Sequence, residues 1–367
     1  MNIAYRFRIY PTEEQKILLG KTFGCCRFLY NQMLNDKIQE YEKIKKMLKN
    51  TPAMYKREYP FLKEVDSLAL ANVQLHLEKA YKNFFRDPKI GFPKFKSKHH
   101  SRNSYTTNVV NGNILVESKR IRLPKLKWIA MKKHREPAKG LRLKSVTVSM
   151  EPSGKYFASL LYEGDSCENQ AAEPDYSTAK ILGIDYAMQG MAVFSEEIEM
   201  EEAGFFRKNE KRLVREQRKL SRCVRGSHNY ELQKKKVARC HEKIRNQRRD
   251  YLHKLSRKIV DSYDAVAVED IDMKAMGQCL HFGKSVHDNG YGMFREMLDY
   301  KLAWKGKKIV KVDRFFPSSK KCCQCGRIKK ELKLSERVYH CVCGNEMDRD
   351  RNAAINIREE ARRMLIA

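Results

Sequence analysis

Five of the chain's eleven cysteines fall between residues 322 and 343, as Cys322-Cys323-x-Cys325, a fifteen-residue interval, and Cys341-x-Cys343. No other stretch limits the local fold so tightly. Two short cysteine pairs at that separation match the two knuckles of a zinc ribbon, a loop-rich unit held together by its metal. Four protein ligands leave no open coordination position, so such a zinc is structural. The second pair has one residue fewer in its gap than usual. His340 stands at the ordinary distance from Cys343 and could replace Cys341; the preferred set is Cys322, Cys325, Cys341 and Cys343, with Cys323 a spare thiol. The other six, Cys25, Cys26, Cys167, Cys223, Cys240 and Cys279, are scattered, as expected of small buried hydrophobes in a reducing compartment.

The ribbon runs directly into Asp348-Arg349-Asp350 and the start of an apolar helix. Acids are conspicuous here because the chain carries 75 Lys and Arg against 45 Asp and Glu, a net charge of +30 over 367 residues. That excess calls for a polyanionic partner. Residues 205–258 alone hold 20 Lys or Arg against 5 Asp or Glu, half of the whole excess. They read as a helical hairpin turning at Gly226-Ser227, with Arg218, Lys219 and Arg222 among the residues expected to track phosphates. The competing reading, a solvated charged face, fits poorly with so few balancing acids. A membrane partner would require an amphipathic basic helix, a lipidation signal or a long apolar run, and none is found. The expected location is the cytoplasm, on the nucleoid when DNA is bound.

Along the chain, residues 3–10 alternate like a strand, and Thr12 can cap a helix that Glu13 and Glu14 favour. Helical periodicity continues to about residue 89, with breaks near Thr51-Pro52 and Tyr59-Pro60. Residues 104–165 change to strand alternation, in 113–116, 144–150 and 155–162, and suggest a small barrel. A polar segment, 164–178, reads as a linker. Apolar strands follow at 180–185 and 191–194, then the basic hairpin, a strand at 263–270, a helix at 292–304 and a strand at 308–312. Strands alternating with helices predict an α/β domain with a central sheet.

Three acids terminate or interrupt those apolar elements: Asp185, Glu269 and Asp350. Singly, each has a plain explanation as a turn residue, a surface acid or a helix cap. Together they can meet at one sheet edge, where carboxylates hold two Mg²⁺ ions about 4 Å apart for phosphodiester hydrolysis. Asp348 reads as a supporting residue.

ILGIDYAM, AVEDIDM, FFPSSKKCCQCG and CGNEMDRDRNAAINI resemble the RuvC motifs and zinc ribbon of the TnpB nucleases of bacterial insertion sequences. AYRFRIYPTEEQ, FGCCRFLYN, AYKNFF and IGFPKFKSK resemble that family's N-terminal half. The resemblance spans nearly the whole chain. It implies a multidomain α/β plus β architecture: an RNase H-like RuvC domain at 179–317 and 346–367, interrupted by a zinc ribbon at 318–345. A wedge β-barrel of oligonucleotide-binding type is implied at 1–10 and 104–178, with a helical recognition bundle inserted at 11–103. It further implies an RNA-guided DNA endonuclease with Asp185, Glu269 and Asp350 catalytic, two Mg²⁺ ions, one structural Zn²⁺ and a guide RNA from the transposon end. One chain per RNA is expected. A short duplex motif beside the target would be read by the N-terminal half, with Ser67, Leu68, Ala71 and Asn111 as candidate contacts.

Other readings are weaker. A nuclease-dead RNA-guided regulator would not need all three acids, and a transposase of related fold would end on a glutamate. A compact type V CRISPR effector would carry the same motifs. A nonspecific RNA binder would explain the charge but not the acids.

Overall fold

The computed structural model describes residues 2–138, 140–164, 174–187, 191–199, 204–272, 290–333 and 335–367. Most of the expected linker at 164–178 lies outside these residues, as do Cys167 and Cys279. The chain divides into two compact units, residues 1–166 and 167–367.

In the first unit, β1 (Asn2–Tyr10) is followed by α1 (Glu13–Ile44), α2 (Pro52–Glu58), a 3₁₀ turn (Pro60–Glu64) and α3 (Ser67–Arg86). Thr12 caps α1 as its sequence requires: its hydroxyl accepts from the Gln15 amide at 3.3 Å, and the Gln15 side chain accepts from the Thr12 amide at 3.0 Å. Leu19, Leu29, Met33 and Leu34 of α1 share a core with Leu70 and Leu77 of α3. Six strands follow, β2 (Asn103–Asn108), β3 (Leu115–Val116), β4 (Arg120–Leu123), β5 (Lys127–Lys132), β6 (Arg142–Met150) and β7 (Tyr156–Glu163). With β1 they form one antiparallel sheet in the order β2-β6-β7-β1-β5-β4-β3. The first strand is therefore central, and the helices are an insertion between it and the rest of its sheet. The strand expected at 113–116 shrinks to two residues for a local reason. Asn113 accepts from the Val110 amide and donates to the Asn108 carbonyl, closing a turn in which Asn111 has a φ of 48°. Asparagine tolerates that left-handed backbone better than most residues.

The second unit is built on β8 (Ile181–Ala187), β9 (Met191–Phe194), β10 (Ala265–Glu269) and β11 (Lys308–Val312), in the order β11-β10-β8-β9. β10 runs parallel to both neighbours, and β9 pairs antiparallel with β8. The basic hairpin is α4 (Phe205–Ser221) and α5 (His228–Ser262), followed by α6 (Tyr291–Trp304). A small hairpin, β12 (Val338–His340) and β13 (Glu346–Asp348), leads into α7 (Arg349–Ile366). The near-continuous apolar runs of β8 and β10 follow from burial on both faces. Leu182, Ile184, Val266 and Val268 face α5 and α6, in a core with Leu252, Ile259, Phe294 and Leu298. Residues of opposite parity, Ile181, Ala265 and Ala267, join Ile357 and Ala361 of α7. The hairpin itself has only a minor core of Leu213, Cys240 and Ile244.

Gly183 sets how closely α7 can lie on β8. A β-carbon there would stand 2.0 Å from the Ala354 carbonyl oxygen and 2.9 Å from the Arg358 amide nitrogen, both backbone atoms of α7. The only remedy is to lift the helix. Gly183→Ala should therefore destabilise the chain by about 2 kcal/mol or more, the upper part of the usual range for overpacking. Chemical denaturation measures this, and an unchanged midpoint would mean that α7 does not approach β8 so closely.

Candidate active site and metal centre

The register of the central sheet places two of the three acids. Val268 pairs with Ile184 across the parallel β8–β10 ladder, so Glu269 and Asp185 each stand one residue further along. Neighbouring strands lie about 4.8 Å apart, and side chains alternate between faces. Asp185 has the parity of Ile181, and Glu269 that of Ala265 and Ala267, so both acids project on the face covered by α7. The third acid arrives on that helix. Asp350 is its second residue, not the residue before it as the sequence suggests. The cap is Asp348, whose carboxylate accepts from the Arg351 amide at 2.9 Å. The Gly183 contact with Ala354, four residues beyond Asp350, brings this helix end to the acids on the sheet.

Asp185 feels burial and the other two acids. Burial pushes the Asp185 carboxyl up to about 8, with the charges of Glu269 and Asp350 adding to the effect. Burial also raises Glu269. Asp350 is held from the other side: the Arg349 guanidinium donates to it at 3.2 Å, and an Arg337 nitrogen lies 4.0 Å away. Keeping these carboxylates charged where burial and neighbouring negative charge disfavour it costs free energy. A divalent cation removes that cost, and an all-oxygen carboxylate set suits magnesium.

The four cysteines are gathered more tightly. Their sulfurs all lie within 4.8 Å of one another, with Cys322–Cys343 at 3.7 Å and Cys325–Cys341 at 3.6 Å. Tetrahedral ligands about 2.3 Å from a zinc would be about 3.8 Å apart, so the set fits the ion. Gly326 and Gly344, with φ of 76° and 87°, close the two knuckles through amide bonds to the Cys322 and Cys341 carbonyls. His340 stands apart: it pairs β12 with β13, and its Nδ1 lies 3.4 Å from a Glu346 carboxylate oxygen. Among the described residues this cysteine set is the group that closes to such spacing, and the three carboxylates do not.

The ribbon is bolted to α7. Asn352 accepts from the Cys323 amide and donates to the Lys321 carbonyl, and Asn356 donates to the carbonyls of Ser318 and Lys321. The metal loop thereby fixes the helix that carries Asp350.

Sequence reasoning missed Arg337, Arg349 and Tyr291. Arg337 had no signal beyond its place in the ribbon, since its proximity to Asp350 depends on the β12–β13 hairpin. The Tyr291 hydroxyl is buried without a hydrogen-bond partner among the described residues, in the fields of Asp185 and Glu269.

Of the proposed nucleic-acid contacts, Arg218, Lys219 and Arg222 are exposed along the basic hairpin. Ser67 is exposed and accepts from Lys56 Nζ at 2.8 Å, while Leu68 and Ala71 are half-buried in the first turns of α3. Asn111 lies in the turn described above, where backbone geometry alone accounts for it. In the first unit a cavity of about 190 Å³ lies among α1, α3 and residues 96–106, and Asn72, His76, Lys96 and Arg102 line it. None of the four was singled out from the sequence. Their approach to one another depends on the helix-on-strand packing.

The raised Asp185 sets a pH dependence. Between the ordinary 3.8 and about 8, the folded state keeps a proton that the unfolded chain has released. The associated stability is present below 3.8 and is lost as pH rises through about 8. In magnesium-free buffer the melting temperature should fall over that window, and Asp185→Asn should flatten the fall. Parallel curves for the two proteins would show that Asp185 ionises as freely as in water.

Comparison with known proteins extends this picture. Residues 160–279 match the family model described as "Probable transposase", residues 291–357 the "Cas12f1-like, TNB domain" and residues 1–46 a "Helix-turn-helix domain". A "Putative RNA-guided DNA endonuclease" of Streptomyces pristinaespiralis is 33% identical over 366 residues, covering 96% of this chain and 88% of that protein. InsQ of Escherichia coli strain K12, described in the same words, is 31% identical over 96% of this chain and 91% of its own. The fold is similar to Cas12f1 in its complex with guide RNA and target DNA, with a TM-score of 0.59, 13% identity and 98% of both chains covered. With relatives this similar over nearly their full length, the chain belongs to the TnpB family of RNA-guided DNA endonucleases.

Proposed function

We propose that a guide RNA directs this chain to double-stranded DNA, and that Asp185, Glu269 and Asp350 form the centre that cuts it. The observation that carries the reading is the placement of two acids at one level and on one face of the parallel sheet, with the third on the helix covering that face. In this reading residues 179–317 and 346–367 are an RNase H-like RuvC domain and residues 318–345 its zinc ribbon. Residues 1–10 and 104–178 are the wedge barrel, and residues 11–103 the recognition bundle. The insertion of α1 to α3 between two strands of one sheet supports that division.

Magnesium held by the three carboxylates would supply an activated water and stabilise the leaving oxygen. The chain supplies position. Asp185 and Glu269 project from neighbouring strands, and Arg349 orients the Asp350 carboxylate, with Arg337 beside it. Target choice rests on base pairing with the guide, which comes from the transposon end, one chain binding one RNA. The exposed basic face of α4 and α5, with Arg218, Lys219 and Arg222, meets the RNA or heteroduplex backbone, where charge suffices. Ser67, Leu68, Ala71 and Asn111 are assigned to the duplex motif beside the target. The chain is assigned to the cytoplasm, joining the nucleoid when on DNA; no helix among the described residues is long and apolar enough to cross a membrane.

The purified ribonucleoprotein tests this directly. Asp185→Ala, Glu269→Ala and Asp350→Ala should each reduce cleavage of a guide-matched duplex by at least about 10³-fold, with target binding kept within about twofold because the basic surfaces are untouched. Near-wild-type cleavage by any variant would remove that residue from the centre.

Zinc is the second test, and it reads folding. Metal analysis should find about one zinc per chain. Cys325→Ser should lose the metal and expose residues 318–350 to proteolysis, whereas His340→Ala should keep it. Zinc kept by Cys341→Ser and lost by His340→Ala would replace Cys341 with His340 as the fourth ligand.

A further inference from the structure

The loop after β11 carries adjacent phenylalanines that behave oppositely. Phe316 turns inward and packs against the core of Val310, Val312 and Ile357. Phe315 turns outward and is 86% exposed, the highest value among the large hydrophobic side chains described. An exposed hydrophobe on a mobile loop would mean little. This loop is held at both ends. The Asp313 carboxylate accepts from the Phe315 amide at 2.7 Å and the Asp313 carbonyl from the Phe316 amide at 3.0 Å. Arg314 reaches back to Asp270 at 3.0 Å, beside Glu269. Beyond the ring, the Ser318 carbonyl accepts from Asn356 of α7 at 2.8 Å. The segment is thus tied to the strand that carries Glu269 and to the helix that carries Asp350. The Arg314–Asp270 pair is half exposed and adds little stability; its effect is to orient the loop.

The position of the ring follows from the ladder. Val312 pairs with Glu269 across β10–β11, and Phe315 is three residues further on. Three residues span at most about 10 Å, and ligands of parallel α/β sheets bind beyond the carboxyl ends of the strands. Successive nucleotides of a stacked strand rise about 3.4 Å. A ring fixed at this edge is therefore only a few nucleotides from a phosphate bound at the acids. Beyond it in sequence, Lys320 and Lys321 supply positive charge of the kind a phosphate backbone attracts.

We infer that Phe315 is a stacking platform for a base of the single-stranded DNA entering the cleavage centre, within a few nucleotides of the scissile phosphate. The inference rests on the three acids being that centre. The ring stacks on the base face and so holds the strand in register without selecting its sequence; every base offers such a face. Phe315 acts on the strand as a positioning residue and takes no part in bond breaking.

The test uses the whole ribonucleoprotein and a matched target with 2-aminopurine at successive positions around the cut. Phe315→Ala should slow single-turnover cleavage about 5- to 100-fold, the range for one lost base–aromatic stack. RNA retention and target affinity should stay at wild-type level. Phe315→Trp should restore the rate and Phe315→Leu should not. In the wild type one or two 2-aminopurine positions should be quenched, and Phe315→Ala should release the quenching. Wild-type cleavage by Phe315→Ala, full rescue by Phe315→Leu, or loss of RNA retention would each overturn the assignment. The quenching read-out is independent of cleavage. If the protein binds target but never cuts it, the reading of the acids fails while the stack is still judged by fluorescence.

Discussion

The second unit depends on the close approach of α7 to β8 at Gly183. A helix carrying one acid crosses a strand carrying another, and the crossing is possible only because a side chain is missing at the contact. The backbone atoms of Ala354 and Arg358 occupy the space where a β-carbon would be. Below this contact Ile357 and Ala361 seal the α7 face of the sheet; above it, the helix begins at the acids. The cysteine ribbon works on the same helix from outside, through Asn352 and Asn356. The four-cysteine ribbon is thus tied to the helix that carries Asp350 by four side chain–backbone hydrogen bonds. Its place in the chain, immediately before the helix, then has a mechanical reason: it fixes the angle at which Asp350 is delivered.

Electrostatics explains why acids occur in so basic a chain. Burial at the end of the sheet, with the charges of Glu269 and Asp350 adding to it, raises the Asp185 carboxyl, and burial also raises Glu269. Arg349 donates to Asp350 and also opposes the rise of Asp185, while Arg337 lies beside Asp350. Under the proposed function a cation would offset the cost of ionising Asp185, and the chain's positive excess would favour the phosphates on which the centre acts.

The two units differ in construction. The first places helices and a strand around a small cavity rich in polar and basic side chains. Its long antiparallel sheet gives that arrangement a rigid base. The second combines a sheet-edge centre with the long basic hairpin of α4 and α5. That hairpin has little core of its own and presents most of its length to solvent. A surface built for charge rather than packing suits a backbone whose sequence is read by base pairing.

Local pattern by itself determined much of this. Thr12, Glu13 and Glu14 announced the start of α1, and apolar runs announced β8 and β10 as strands of a central sheet. Cysteine spacing announced the ribbon because metal coordination is a local constraint, satisfied within some twenty residues. The tertiary structure decided the rest. Whether Asp185 and Glu269 share a face depends on parallel register, which pairs residues 84 positions apart. Asp350 proved to lie inside its helix because Asp348 took the cap, a competition between neighbouring acids that composition cannot settle. His340 left the cysteine set because β12 turns it toward Glu346. The neighbouring phenylalanines 315 and 316 are identical in sequence and opposite in exposure, because only one of them meets the core beneath α7. Contacts closed within a turn or a knuckle can be read from residue order, whereas contacts made across the sheet exist only once distant segments have been brought into register.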